Sequence, residues 1–333
     1  GLLRQASQNI ESVPLTYHDA ARSMLADGRN YIDQVGEQYP AAESGINVEK
    51  FFSYLRDVAA ALRVMADHLR AVSVEPDERF ATGTLNETLQ RHFASRRDAD
   101  EIFCLAAQEW ELNLECLDKL KNKIKPTSSW QALYHDYLPG EIEDGDTLAL
   151  YRDEIDRLRL FLGRRGFPPE DLNRPVEVAV TPLYLQSVRG SASFAAAYSS
   201  DPREKNYFYI TTQLPGSSTA TADLLLKKRF HREYKMLTAH ETIPGHHFLD
   251  SIRRRLRNPI RRQIESPLFY EGWASYSESL LVDGGYVYQP LDLLVDYKRR
   301  LWRSARSQVD VGLATGKIKP ADALVLLKTC GFS

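Results

Sequence analysis

The sequence predicts a mainly α-helical protein with a small inserted β-sheet, and three observations predict it. Apolar residues recur at helical spacing along most of the chain. Strand-like runs are confined to its middle, and glycine and proline punctuate these segments chiefly at their ends. The 333 residues are enough to bury a large core. They are read as a helical region over 1–170 and a second region over 171–333 that carries the chemistry, meeting near Pro168 to Arg174 or fused into one continuous domain.

The elements follow in order. From Val48 to Val72, apolar Phe51, Leu55, Val58, Leu62, Met65 and Leu69 alternate steps of four and three, which lines them along one helical face for packing. Helical patterns return from Asp98 to about Lys123 and from Gly145 to Leu162, the latter stopped by Gly163 and later by Gly166 and Pro168. Two runs read as strands: Val176 to Thr181, which ends at Pro182, and the aromatic, β-branched stretch Tyr207 to Thr212, which is followed by Pro215-Gly216. The second is expected either to accept an extended peptide as an added strand or to lie inside the sheet. A long helix is expected to start after Ser217-Ser218-Thr219, and nothing between Leu224 and Thr242 breaks it.

Composition excludes several classes of function. Lys and Arg total 43 against 45 Asp and Glu, a net charge of −2, so nothing global favours nucleic acid or an anionic membrane. The basic run Arg253 to Arg257 reads as one solvated helix face. Cys104, Cys116 and Cys330 are too few and too scattered for a disulfide framework or a four-thiolate zinc site, and are expected to be free core thiols. No apolar run has the length of a membrane span, and no basic-then-apolar leader opens the chain. The expectation is a soluble protein, cytoplasmic or exported with its signal segment outside this sequence.

The informative stretch is Thr238-Ala-His-Glu-Thr-Ile-Pro-Gly-His-His-Phe248. His240 and Glu241 stand side by side near a helix end, where a zinc protease places a ligand and a general base. The usual His-Glu-x-x-His spacing would need histidine at 244, where this chain has Pro244. On an undistorted helix His246 would point roughly 120° away from His240, and His247 would lie about 10.5 Å along the axis. Pro244 cannot donate to the carbonyl of His240 and clashes with it, so the helix must kink or open there, and Gly245 permits backbone angles closed to other residues. A widened turn that absorbs two additional residues would carry His246 to the place of an i+4 ligand. His246 is therefore the expected second ligand, with His247 the alternative. The competing reading is a kinked helix whose histidines bind nothing.

Zinc needs a third protein ligand and leaves its fourth position open. Glu271, beside Gly272 where a helix is expected to start, is the candidate; Glu278, two turns further on the same face, is the candidate partner that orients a ligand histidine. Taken without the upstream histidines, both would be ordinary surface carboxylates of an amphipathic helix. In this scheme zinc lowers the pKa of water towards about 7 and Glu241 takes its proton. Tyr270, Tyr276 and Arg306 are candidates for stabilising the oxyanion. Against this, the tyrosines suit simple packing, and Arg306 suits a helix pair with Asp310.

HETIPGHH followed by EGWASYSE resembles the bacterial domain of unknown function 885 family, whose members carry His-Glu-x-x-Pro-Gly-His-His and then Glu-Gly-Trp-Ala-x-Tyr-x-Glu. Val180-Thr181-Pro182, Ala305-Arg306 and Val309 to Leu313 are also similar to family segments, so the resemblance covers most of the chain from about Ile10. It implies a mostly helical, zincin-like metallohydrolase with His240, His246 or His247, and Glu271 around Zn2+, Glu241 as base, and a peptide or amide substrate. The chain departs from the family where Asp-x-Gly-x-His would place a histidine; here it reads Asp310-Val-Gly-Leu-Ala314. A Pro-Gly-Gln-Ala stretch expected further on is absent, and the N-terminal half is shorter than is typical. The alternative function is a degenerate member that binds metal and ligand without turnover.

Overall fold

The computed structural model describes residues 2–38, 47–75, 82–143, 146–182, 185, 191–197, 205–212 and 231–331. The chain forms two compact units, one from residues 1–78 with 181–190 and the other from 79–180 with 191–333. No described helix is long and apolar enough to cross a membrane.

The first unit holds α1 (Leu2–Asn9), β1 (Ser12–Pro14), α2 (Leu15–Gln38), α3 (Val48–Ala71) and β2 (Ser73–Glu75). The Asn47 side chain accepts the Lys50 N–H at 2.9 Å and starts α3, whose expected stripe buries Met65 and Leu69. Parallel pairing of β1 with β2 matches Ser12 to Ser73.

The second unit contains α4 (Thr82–Arg91), α5 (Ala99–Ile124), α6 (Trp130–Asp136), α7 (Gly140–Glu143), α8 (Thr147–Gly163), α9 (Pro169–Leu172) and strands β3 (Glu177–Val180), β4 (Ala192–Ala195) and β5 (Tyr207–Ile210). It continues through α10 (Tyr234–Glu241), α11 (His246–Arg254), α12 (Pro259–Gln263), α13 (Pro267–Asp283), α14 (Pro290–Thr315) and α15 (Pro320–Thr329). Asp98 and Glu101 form a reciprocal capping box that begins α5, and the Asp146 side chain accepts the Leu148 N–H to begin α8. One core joins Tyr151, Leu158 and Leu172 with Phe208, Tyr234, Phe248 and Leu281. A second joins Trp110, Leu117 and Trp130 with Leu294 and Leu301. The first core runs straight across Pro168 to Arg174, so that stretch is an internal connection of this unit.

The sheet orders β3-β5-β4, with β5 parallel to β3 and antiparallel to β4. Alternation along β5 buries Phe208 and Ile210 while Tyr207 and Tyr209 stack on the other face, 5.2 Å apart. Both edges of β5 are therefore occupied within the molecule, which rules it out as a strand waiting for a peptide. The outer strands are β3 and β4, and the sequence reading missed β4 because Ala-Ser-Phe-Ala has little strand character.

Three further expectations need correction, and a fourth falls outside the described residues. The expected helix start at Ser217 to Thr219 is the one that lies outside the described residues; among the described residues α10 begins at Tyr234, after Glu233 at φ −92°, ψ 13°. Helix α13 begins at Pro267, a full turn before Glu271, because proline fits the first helical position. All three cysteines are free, but only Cys330 is buried and Cys104 is exposed. The basic run is not merely solvated either: Arg253 and Arg254 pair with Asp250, and Arg255 pairs with Asp171 on α9.

Candidate metal centre

The centre depends on how the chain passes from α10 to α11. After Glu241 the helix opens at Thr242 (φ −116°, ψ −98°), and the Ile243–Pro244 peptide is cis. Gly245 N–H then donates to the carbonyl of Ala239 at 2.9 Å, and Phe248 N–H to that of Thr242 at 3.1 Å. Both bonds span six residues where an α-helix spans four, so the turn takes up two extra residues before regular helix resumes. Trp273 on α13 secures it by donating from Nε1 to the Pro244 carbonyl at 2.7 Å. Glycine is required at 245, because a Cβ there would lie 1.9 Å from the His240 carbonyl oxygen and 2.4 Å from that of Ala239.

The widened turn returns His246 to the side of His240. Their rings stand edge to face, centroids 4.7 Å apart. Nε2 of His240 lies 3.4 Å from one oxygen of Glu271, and Nε2 of His246 lies 3.6 Å from the other. One donor atom from each of the three falls within 4.8 Å of the others. These separations are long for hydrogen bonds, whose usual range ends near ~3.2 Å. They suit donors around one ion: tetrahedral bonds of about 2.0–2.1 Å place neighbouring donors about 3.3 Å apart. Two imidazoles and a carboxylate are also a donor set that zinc accepts in open catalytic sites. The residues present thus fit a zinc ion.

Around the donors, Glu278 is buried and accepts the Nδ1 proton of His240 at 2.8 Å, which turns Nε2 towards the cluster. Burial opposes ionisation of Glu278, but Arg299, His240 and Arg303 hold it well below the usual carboxylate range. Burial likewise opposes charge on His240, yet Glu271 and Glu278 outweigh it and push its pKa up to about 9. Burial and the neighbouring His240 push His246 down to about 4. Glu241 accepts the Phe194 N–H of β4 at 2.8 Å, and burial raises its pKa.

Of the remaining candidates, Tyr270 stacks on His246, rings 4.0 Å apart and 14° from parallel. Tyr276 is exposed and sits near Trp273, at 6.2 Å between ring centres. Arg306 extends over the Trp302 ring at 5.8 Å. His247 turns away from the cluster towards Phe194, at 5.5 Å between rings, and among the described residues its nitrogens have no well-formed hydrogen bond, only the approach of the Pro175 backbone. It is therefore His246 that joins His240. Sequence reasoning missed Phe194, which acts through its backbone and leaves no signal in a residue type. It also missed Arg299 and Arg303, whose signal was available: two arginines four apart on a helix whose same stretch buries Leu294, Leu301 and Ala305.

A family described as "Bacterial protein of unknown function (DUF885)" matches residues 5–332. No curated protein matches. The fold is similar to that of "a putative lipoprotein of unknown function from Shewanella oneidensis", at TM-score 0.63 and 19% identity over 90% of this chain and 60% of that one. It is also similar to "the putative lipoprotein from Colwellia psychrerythraea", at TM-score 0.67 and 17% identity over 95% and 60%. The chain thus spans about 60% of the length of each solved relative.

Proposed function

The chain belongs to the DUF885 family of bacterial proteins of unknown function, matched over residues 5–332, and from that premise we propose that it is a zinc-dependent hydrolase of a peptide or related amide. The observation that carries this reading is the convergence of His240, His246 and Glu271 within 4.8 Å, with Glu241 on the same turn as the first of them. A zinc ion held there would supply a Lewis acid that polarises the scissile carbonyl and acidifies water.

The chain's own residues do the rest. Phe194 N–H occupies one oxygen of Glu241, which leaves Oε1 to take a proton from the attacking water and pass it to the leaving amine. Burial raises the Glu241 pKa, the direction a general base needs to work nearer neutral pH. Tyr270 holds the His246 ring by stacking, and Glu278 holds the His240 tautomer. An extended chain added beside β4 would pass the Glu241 carboxylate, which supports a peptide as substrate. The descriptions of both solved relatives support an exported protein.

Glu241→Gln tests the reading. The variant should bind zinc as the unaltered protein does while hydrolysis of a peptide library falls at least ~100-fold, the scale of a lost general base. Hydrolysis unaffected by the change would remove Glu241 from its role, and absence of zinc binding in the unaltered chain would remove the centre itself.

A further inference from the structure

We propose that Arg299 and Arg303 of α14 are positioning residues for the metal centre: their guanidiniums clamp Glu278 so that it can only accept the Nδ1 proton of His240, which presets Nε2 for a cation. The inference rests on the zinc reading and adds to it a pair of residues that lie outside the donor set.

The geometry is a double fork. Arg299 reaches Glu278 Oε2 with Nε at 3.0 Å and Oε1 with Nη2 at 2.9 Å. Arg303 reaches Oε2 with Nη1 at 3.1 Å and Oε1 with Nη2 at 2.6 Å. His240 Nδ1 takes the remaining approach to Oε1 at 2.8 Å. A guanidinium has donors only and does not lose its proton, so every contact made by the arginines presents Glu278 as an acceptor. The imidazole must then be the donor at Nδ1, so Nε2 is the nitrogen turned to the cluster and the one that gives up its proton when a cation binds.

The clamp is part of a wider ionic network. Arg299 also donates from Nη1 to Glu233, which accepts from the Tyr134 hydroxyl and has Lys298 3.7 Å away. Two guanidiniums and the Lys298 ammonium are thus set against Glu233 and Glu278, so neither of these carboxylates has charge to spare and Glu271 is the one left for a dication. Glu278 is only 1% exposed and Arg299 only 11%, so the pair is removed from water. Removing ions from water is costly, and apolar residues of similar volume often stabilise a core as well or better. What the ions supply is a directed hydrogen bond to His240, an effect whose loss in comparable sites costs about 10- to 100-fold in metal affinity.

The test measures Zn2+ affinity by competition with a chromophoric chelator for the unaltered chain, Arg303→Lys, Arg303→Met and His240→Asn. Arg303 is the better target because it is 31% exposed and tolerates substitution more readily than Arg299. Affinity is expected to fall in the order arginine, lysine, methionine, by about 10- to 100-fold for Arg303→Met, with His240→Asn the weakest. In the zinc-loaded protein the slowly exchanging Nδ1–H resonance of His240 should be seen with arginine and be weakened or lost with methionine. A purely structural residue would lower the melting temperature and leave that resonance alone. Zinc affinity within twofold of the unaltered chain in both Arg303 variants, with His240→Asn impaired, would overturn the proposal and leave the zinc reading standing. If Arg303→Met does not fold, Arg303→Lys decides alone, and undiminished affinity overturns it. An unaltered chain that binds no zinc overturns both.

Discussion

Protonation pulls neighbouring histidines in opposite directions. His247 is buried with no well-formed hydrogen bond among the described residues, and burial pushes its pKa down to about 4 from an ordinary 6.5 against a weaker pull from the Pro175 backbone. Its folded pKa lies below its unfolded one, so the stability tied to its neutral form is present above pH 6.5 and lost as pH falls through about 4. The shift is worth up to ~3 kcal/mol. His246 loses stability in the same window. His240 behaves in the opposite sense: raised to about 9, it contributes below pH 6.5 and loses that contribution as pH rises through 9. Urea unfolding of metal-free protein should therefore be most cooperative and most costly near pH 6.5. His247→Leu should flatten the acid side and leave neutral stability equal or higher, because two buried nitrogens with no well-formed hydrogen bond are replaced by apolar surface. A steeper acid loss in that variant would contradict the assignment. At this scale the sequence was legible where chemistry resides in residue type and spacing: His240, His246 and Glu271 come together as a cluster, although Glu271 lies a turn inside α13 and not at its start. It was illegible where the group is a main-chain N–H, as at Phe194, or where a partner comes from a distant helix, as with Arg299.

Single elements turn on the widened turn between α10 and α11. Gly245→Ala should abolish zinc binding and cost at least ~3 kcal/mol, because a methyl group 1.9 Å from a backbone oxygen forces the turn to move and carries His246 with it. Trp273→Phe keeps an aromatic ring but loses the bond to the Pro244 carbonyl and part of the indole's packing, so it should cost about 1–3 kcal/mol and retain binding. Chemical unfolding and zinc titration of the two variants check the contrast, and an alanine variant that binds as tightly as the unaltered chain would refute it. Proline and glycine in succession made this turn readable, since each removes a specific option of the helical backbone. The bodies of α3, α5 and α8 were readable from apolar spacing, and their starts are fixed by the capping side chains of Asn47, Asp98 and Asp146. Strand β4 was not, because its place depends on pairing with β5 and on Glu241 rather than on its own residues.

For the whole molecule, the donors come from α10, α11 and α13, and the clamp on Glu278 comes from α14, so a bound cation ties together helices spread over residues 234–315. Zinc at about 100 times its dissociation constant should add about 2.7 kcal/mol to stability and raise the melting temperature, reversed by chelator. A melting temperature indifferent to both would mean that no ion bridges these helices. The division of the chain near residue 78 was not legible, because no run of linker residues marks it and because residues 181–190 rejoin the first unit from the middle of the sequence. The three donors also differ in their access to water: the side chain of Glu271 is 63% exposed, against 13% for His240 and 5% for His246. That asymmetry makes the carboxylate the doorway for exchange. An incoming chelator can grip the ion from that side before either imidazole lets go, so release should quicken as chelator concentration rises instead of waiting on spontaneous escape.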